Sequence, residues 1–354
     1  MTIGARREGE MRVAFGIWDH FEMRSGISAH GQYQEKIQLL QEAERLGFRG
    51  YHVAEHHLSP LDLAPSPNVF LTALAQATSR LRVGTIVHIL PLYHPVRLVQ
   101  ELCMLDNLSG GRLDVGIGRG IRAVEHEWFG IAPDDATART EEILQILVSA
   151  MSSGNLAYEG RFYRIADAPL ALLPVQRPYP EIWYAGTPEF PGRRGMHFVT
   201  RTSQAVARYW QLWDETREGG EHINPQVQAP WVGITKHVVV RETDAEAIAV
   251  ARRAWPVFCE NWAATSLLTP DGRVTPEQSD FESVMGEGDR LLVGTPRTIR
   301  EYLERAVEEV GDRPSFYFAP AVQWGDITYR EALTSLELLA ADVMPRFLPS
   351  APDS

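Results

Sequence analysis

The sequence predicts an α/β fold in which a single (β/α)8 barrel, interrupted by insertions, takes up almost the whole chain. Eight short apolar runs with the character of strands alternate with segments of helical spacing, as successive parallel βα units require. None of these strands is followed directly by a GxGxxG turn, and no linker divides the 354 residues at their midpoint. One large barrel therefore fits the pattern better than a doubly wound sheet.

The first half of the chain supplies four βα units. In the first helix, Tyr33, Ile37, Leu40 and Ala43 recur at helical spacing, and Gly47 is placed to end it. The predicted strands of this half are 12–17, 50–55, 81–90 and 112–118, and its predicted helices are 30–48, 67–80, 95–109 and 138–151. Four such units in succession indicate a parallel sheet.

The alternation resumes in the second half, after a polar stretch at 158–165. The predicted strands here are 181–186, 196–200, 231–240 and 315–320, and the predicted helices are about 203–217, 244–265, 296–310 and 329–344. The polar stretch 266–290, rich in Gly, Pro and Asp, is interpreted as a mobile loop over the open end of the barrel. Residues 1–10 are predicted to be a disordered leader, and the single barrel domain is predicted to cover 11–350.

Composition and charge argue against several classes of function. The formal net charge is −12, whereas a nucleic-acid-binding protein carries basic stripes. No apolar run approaches the roughly 20 residues of a membrane-spanning helix. Cys103 and Cys259 lie far apart with no CxxC spacing, so neither a disulfide framework nor a structural zinc site is expected. The sequence predicts a cytoplasmic protein that binds neither nucleic acid nor membrane.

The tripeptide Glu55-His56-His57 ends the second predicted strand, at the end of a barrel where active sites form. A metal site is disfavoured, because the spacing is not that of HExxH and adjacent strand residues point to opposite faces. Two further interpretations remain open. The glutamate can simply hold a histidine at the strand end, or a carboxylate-oriented histidine can act in catalysis or orient a cofactor.

Two glycine-containing strand ends predict a place for a flat ligand or a phosphate. GIGRG (116–120) surrounds Arg119 with glycines, which let a ligand approach the backbone while the guanidinium supplies matching charge. AGTPE (185–189) offers Gly186, the hydroxyl of Thr187 and backbone amides at a helix start. A plain βα turn and a simple N-cap by Thr187 account for these patterns equally well.

Six segments, taken in order, resemble bacterial luciferase and the flavin-dependent luciferase-like monooxygenases over nearly the whole length from Met11. Together their order and spacing are highly specific, although any one alone is not. They are AEHH (54–57), LRVGTIVHILPLYHPVR (81–97), LDNLSGGRLDVGIGRG (105–120), IWYAGTPE (182–189), VGTPRTIREYL (293–303) and DVMPRF (342–347).

The resemblance implies a TIM barrel that binds reduced FMN (FMNH2) at its open end and uses O2 as co-substrate. The flavin would form a C4a-(hydro)peroxide that oxygenates a small organic substrate such as an aldehyde, ketone or alkene. By position, His56 is implied as the catalytic histidine beside the reactive edge of the flavin, with His57 and Glu55 as its supports. No metal ion is expected.

The resemblance also implies which residues hold the cofactor. Arg119 matches the arginine that contacts the FMN phosphate, and Gly186 and Thr187 match the phosphate loop. Ile86 and Val87 match a pair joined by a non-prolyl cis peptide against the flavin ring. Gly118 stands where luciferase has a reactive cysteine, so thiol sensitivity is not expected to carry over. The 86–87 pair is bulkier than the alanine pair of luciferase, and His88 replaces an aliphatic residue there.

The chain has no recognisable nicotinamide-binding domain, so an NAD(P)H:flavin reductase is expected to supply FMNH2. The resemblance further implies a homodimer. Two alternatives remain. The same barrel superfamily includes deazaflavin-dependent hydride-transfer oxidoreductases, and some relatives are non-catalytic flavin-binding barrels. The intact AEHH and LPLYHPVR segments favour the flavin monooxygenase.

Overall fold

The computed structural model describes residues 11–219, 222–266 and 280–348. Parallel strands form a barrel with helices around it, as the alternating pattern predicts. The strands are β1 (Arg12–Phe15), β2 (Ile17–Asp19), β3 (Gly50–Val53), β4 (Arg82–Thr85), β5 (His88–Ile89), β6 (Leu113–Gly118), β7 (Asn155–Glu159), β8 (Arg164–Pro169), β9 (Glu181–Ala185), β10 (His197–Thr200), β11 (Val232–Val240), β12 (Leu291–Gly294) and β13 (Ser315–Ala321).

Two of the predicted strands are divided into shorter pieces. β1 and β2 are separated by Gly16, where a Cβ atom would lie 1.8 Å from the hydroxyl oxygen of Tyr317. β1 pairs with β13 and β2 pairs with β3, so this first strand closes the barrel. β4 and β5 are separated by Ile86 and Val87, and both pair with β6. With these pieces joined, the eight predicted strands form the barrel.

Helices surround the barrel. They are α1 (Ala29–Arg45), α2 (Pro67–Ala77), α3 (Pro95–Ser109), α4 (Ala123–Trp128), α5 (Ala136–Ser153), α6 (Glu189–Arg194), α7 (Ser203–Thr216), α8 (Asp244–Ser266), α9 (Phe281–Glu287), α10 (Pro296–Val310) and α11 (Tyr329–Leu338). Eight of these eleven in the described residues correspond to predicted spans, whereas α4, α6 and α9 were not predicted. Within the described ranges, no helix is long and apolar enough to cross a membrane.

Local sequence explains where several helices begin and end. Four N-cap hydroxyls each accept a hydrogen bond from a backbone N–H in the first turn, which satisfies a donor that has no partner inside the helix; they belong to Ser28, Thr202, Thr295 and Thr328. Gly47 follows α1 with φ at +93°, a left-handed conformation that ends a helix at little cost for glycine.

Several elements were not predicted from the sequence. The polar stretch after α5 forms the antiparallel hairpin β7–β8 outside the barrel, and β12 pairs with the far end of β11. The predicted mobile loop 266–290 is helical over α9, because Phe281 and Val284 bury one face and Asp280 caps its N-terminus. Residues 267–279 of that loop and the predicted leader 1–10 lie outside the described residues.

Candidate active site

A cavity of about 600 Å³ opens at the C-terminal ends of the barrel strands, where barrel enzymes carry their sites. Its volume lies in the range of about 300–1,000 Å³ that is typical of small-molecule and cofactor sites. The lining comes from the ends of six barrel strands, from the middle of β11, from α8 and from the turn before β12. It consists of Trp18, His20, Ala54, Glu55, His56, Ile86, Val87, Ile89, Gly118, Arg119, Gly120, Ile121, Tyr184, Ala185, Gly186, Thr187, Val199, Thr200, Arg201, Thr202, Thr235, Lys236, His237, Phe258, Trp262 and Arg290.

The structure brings eight of the nine predicted site residues together in this lining. They are Glu55, His56, Ile86, Val87, Gly118, Arg119, Gly186 and Thr187. His57 is not among the described lining residues. Its ring packs against Phe129, with the ring centres 4.7 Å apart, and its Nε2 lies 2.9 Å from Oε1 of Glu55.

His56 is held by a carboxylate that the sequence did not reveal. Its Nδ1 lies 3.1 Å from Oε1 of Glu125, on the short helix α4, and the same oxygen accepts the backbone N–H of His57 at 2.9 Å. Burial acts to raise the pKa of Glu125. The hydrogen bond and the charge of His56 outweigh burial, so the pKa lies below its ordinary value. Glu125 is therefore an ionised acceptor that fixes the orientation of His56.

Both side-chain oxygens of Glu55 are hydrogen-bonded to groups other than His56. Its Oε1 lies 2.9 Å from Nε2 of His57 and accepts from the hydroxyl of Tyr93 at 2.9 Å, while its Oε2 accepts the backbone N–H of Ile89 at 2.8 Å. Both oxygens are thus engaged in holding the ends of β3 and β5 together. In the described structure, the side chain of His56 is hydrogen-bonded to Glu125, and not to the side chains of Glu55 and His57.

The predicted non-prolyl cis peptide is present between Ile86 and Val87, which confirms that prediction. The pair interrupts the third barrel strand and lines the cavity. Trp18 Nε1 donates to the carbonyl oxygen of Ile86 at 3.4 Å. A Cβ atom at Gly118 would lie 2.6 Å from Cγ2 of Val87, so the absence of a side chain at 118 lets β6 approach this wall.

The predicted phosphate-binding residues lie on two neighbouring strand ends at the outer part of the cavity. Arg119, Gly186 and Thr187 are all exposed, at the ends of β6 and β9, which pair with each other. The backbone oxygen of Arg119 accepts from Nε2 of His126 at 2.7 Å, which fixes the turn. Gly186 has φ at +124°, a conformation that side chains disfavour. A cation, a hydroxyl and an unobstructed backbone suit a phosphate group.

Two further histidines line the cavity beside His56. His20 follows β2 and His237 lies on β11; the centre of the His20 ring is 5.5 Å from that of His56 and 6.2 Å from that of His237. Burial, together with neighbouring positive charge, lowers the pKa of both, to about 3 for His237.

In the described part of the chain, no group of three or more histidine, cysteine, aspartate or glutamate side chains could hold a metal ion.

The cavity also carries basic residues that sequence reasoning missed. Arg201, Lys236 and Arg290 line it near His237. Lys236 is buried and donates to the carbonyl oxygens of Gly288 at 2.8 Å and Asp289 at 2.7 Å. Burial lowers its pKa to about 8, although the charge of Asp289 opposes the shift. Lys236 thus ties the turn before β12 to the barrel wall.

The sequence matches the model of a known family, and individual relatives agree with that match. Residues 13–313 match the model described as luciferase-like monooxygenase. An uncharacterized protein, y4wF, of Sinorhizobium fredii is 34% identical over 95% of this chain and 97% of its own length. The oxygenase component of flavin-dependent trigonelline monooxygenase from Acinetobacter baylyi is 26% identical, with 96% of this chain and 97% of that protein covered.

Solved structures show the same barrel. The monooxygenase RslO1 of Streptomyces bottropensis superposes with a TM-score of 0.82 at 25% identity, over 95% of this chain and all of that one. The oxygenating constituent of 3,6-diketocamphane monooxygenase from Pseudomonas putida, solved in complex with FMN, has a TM-score of 0.75 at 22% identity over 95% and 98% of the two chains. The coenzyme F420-dependent tetrahydromethanopterin reductase of Methanopyrus kandleri has a TM-score of 0.66 at 16% identity over 95% and 100%. With a family model matched over most of its length, this chain belongs to the luciferase-like monooxygenase family.

Proposed function

We propose that this protein is the oxygenase component of a two-component monooxygenase, which uses reduced FMN and O2 to oxygenate a small organic substrate. The family match supports the reaction class. The relative from Acinetobacter is described as an oxygenase component and as flavin-dependent, which supports a separate reductase as partner. The Pseudomonas neighbour was solved in complex with FMN, which supports FMN as the flavin used by this protein. A cytoplasmic location and a homodimer belong to the same proposal.

The observation that carries the proposal is that the outer and inner parts of one continuous cavity differ in chemical character. Its outer part presents Arg119 and Thr187 to solvent, and its inner part carries the His56–Glu125 pair beside the aromatic ring of Trp262. FMN has a charged phosphate at one end and a flat, largely apolar ring system at the other. The donor set therefore fits FMN, with Arg119, Gly186 and Thr187 holding the phosphate and Ile86 and Val87 lining the wall next to the ring.

When bound, reduced FMN supplies the electrons that activate O2. The protein's own part begins with His56. An ionised carboxylate can only accept hydrogen bonds, so Glu125 Oε1 assigns the proton of a neutral His56 to Nδ1 and leaves Nε2 as the acceptor. His56 can therefore take up or return a proton at Nε2 without turning its ring. Positioned proton transfer of this kind contributes roughly 10²–10⁴-fold to many reactions.

The wall of the inner cavity is suited to keeping water away from the reaction. Trp18, Phe258 and Trp262 surround the histidines, and Phe258 is buried. Excluding water strengthens electrostatic interactions in the site and suppresses hydrolytic side reactions. Small organic substrates are favoured in such a pocket because apolar walls supply most of the binding free energy.

The proposal is tested with purified protein and reduced FMN under anaerobic conditions. Titration measures binding of reduced FMN, and a second titration with the deazaflavin F420 tests the hydride-transfer alternative. Oxygen is then admitted, and flavin re-oxidation and ¹⁸O incorporation into a panel of ketones, aldehydes and alkenes are measured. We expect binding of reduced FMN and label in at least one product. Tight binding of F420 with no binding of FMN would contradict the proposal. Re-oxidation of bound reduced FMN with the same time course as free reduced FMN would contradict it as well.

A further inference from the structure

The buried histidines of this chain divide into two groups by their hydrogen bonds. Among the described residues, five of the seven have at least one hydrogen-bond partner within the protein; they are His52, His56, His88, His126 and His197. The side chains of the other two, His20 and His237, have none, and the buried atoms Nδ1 of His20 and Nε2 of His237 are left without a partner. Buried polar groups in proteins are nearly always hydrogen-bonded, so each exception needs an explanation.

Both exceptions lie in the wall of the same cavity. His20 and His237 are each 6% exposed, and their rings are nearly parallel, with an angle of 14° between them. His237 is enclosed by Phe258 at 4.6 Å and Trp18 at 5.6 Å, measured between ring centres. His20 is enclosed by Trp18 at 4.8 Å and Trp262 at 5.6 Å. Apolar rings around an imidazole offer it nothing to hydrogen-bond. Nδ1 of His20 and Nε2 of His237 have almost no accessible surface, so a molecule in the cavity would bind the other ring nitrogens, Nε2 of His20 and Nδ1 of His237, for which the described residues also supply no partner.

The charges around the pair determine what kind of partner fits. The groups that act on His20 after burial are His56, His237, Arg122 and Arg201, and those that act on His237 are Arg290 and Arg201. All of these lower the pKa, so both imidazoles are neutral at neutral pH. A neutral imidazole offers one N–H donor and one acceptor nitrogen. A cationic ligand is disfavoured here, because the neighbouring charges are positive.

We propose that His20 and His237, with Trp18, Phe258 and Trp262, form the substrate-binding end of the cavity and take an organic molecule that has a carbonyl or hydroxyl oxygen and no positive charge. That oxygen accepts a hydrogen bond from one or both imidazoles, and the carbon skeleton packs on the three aromatic rings. His20 adjoins His56, so the bound oxygen function lies next to the proposed proton-transfer group. This inference rests on the proposed function and narrows its substrate from any small organic molecule to an oxygen-bearing one without positive charge.

The experiment uses flavin-free protein and three probes of nearly the same shape: acetophenone, ethylbenzene and 1-phenylethylamine. Dissociation constants are measured by calorimetry for the wild type and for His20→Phe and His237→Phe, which keep an aromatic ring but remove its nitrogens. His30→Phe is the matched control, because His30 is exposed on α1. Tm measurements establish that each variant is folded. Wild-type protein with ¹⁵N-labelled histidine reports the imidazole nitrogens directly by NMR.

We expect acetophenone to lose roughly fivefold of its affinity relative to ethylbenzene in each of the two Phe variants, as for one hydrogen bond, and nothing in the control. We also expect acetophenone, but not ethylbenzene, to shift nitrogen resonances of His20 or His237, and 1-phenylethylamine to bind most weakly. An unchanged preference in both Phe variants, or identical nitrogen shifts with both neutral probes, would overturn the inference. These measurements need no flavin, so a failure of the FMN proposal would appear separately, in the flavin titration.

Discussion

Nδ1 of His56 lies 3.1 Å from Oε1 of Glu125, a contact that joins residues 69 positions apart in the sequence. Glu125→Gln places either an oxygen or an NH2 group opposite Nδ1, so the proton of His56 is no longer fixed. We expect oxygenation to slow about tenfold or more, with reduced FMN bound nearly as before. Turnover and flavin titration measure the two effects separately.

Glu127→Gln is the matched control for that variant, since Glu127 lies on the same helix with an exposed side chain. It should leave turnover unchanged. Wild-type turnover in Glu125→Gln would show that the carboxylate does not control His56.

Arg119→Ala should weaken FMN binding by roughly 10- to 100-fold, because a charge-assisted hydrogen bond to the phosphate contributes about 1.5–3 kcal/mol. Riboflavin lacks the phosphate, so its affinity should hardly change. Arg305→Ala, an exposed arginine on α10, is the control. Equal losses of FMN and riboflavin affinity in Arg119→Ala would contradict its assignment to the phosphate.

His56→Ala should give the reverse pattern, with FMN affinity retained and more hydrogen peroxide released.

Gly118→Ala should destabilise the fold by about 1–3 kcal/mol, since the new Cβ would meet Cγ2 of Val87 at 2.6 Å. Val87→Ala removes the obstructing methyl groups, so the double variant should recover much of the loss. Urea unfolding of the four proteins completes the cycle. Gly286→Ala is the control, because a Cβ there meets nothing within 4 Å. Simple additivity of the two single changes would mean that Gly118 is required for another reason.

Glu22→Gln should change how stability depends on pH. Burial raises the pKa of Glu22 to about 7 from an ordinary value of 4.5, although hydrogen bonds from Asn261 and from the backbone of Gly325 oppose the shift. Between pH 4.5 and 7 the folded protein therefore holds a proton that the unfolded chain has released. Stability falls as the pH rises through this window, by up to about 3 kcal/mol, and levels off above pH 7.

The Glu22→Gln variant has no ionisable group at this position and should lack that part of the decline. Urea unfolding at pH 5, 6, 7 and 8 measures it, with the exposed Glu141→Gln as control. Parallel pH curves for wild type and Glu22→Gln would disprove the assignment.

Hydrophobic patterning was sufficient to predict the barrel, because its eight strands are buried, mostly apolar runs and most of them are followed by a segment of clear helical periodicity. The same reasoning placed His56, Arg119 and Thr187 at the cavity, since each lies within three residues of the end of a barrel strand. The hairpin β7–β8 was missed because it lies outside the barrel and carries polar residues on both faces.

Two important site residues gave no comparable signal. Glu125 lies on a six-residue helix that is too short to show periodicity, and its partner His56 is far away in the sequence. His237 lies inside β11, which looks like one uninterrupted strand. β11 runs beyond the barrel to pair with β12, so the cavity opens beside its middle and not at its end. Only the three-dimensional pairing reveals that position.

Phe258 and Trp262 lie one turn apart on α8, so one face of a single helix covers the cavity beside His20 and His237. The barrel strands thus hold the polar atoms, whereas the helix gives that end of the cavity its outline. Changes at 258 and 262 can reshape the pocket while every hydrogen-bonding group of the barrel stays in place. For the redesign of substrate range, α8 is the part of the molecule that can vary independently of the chemistry.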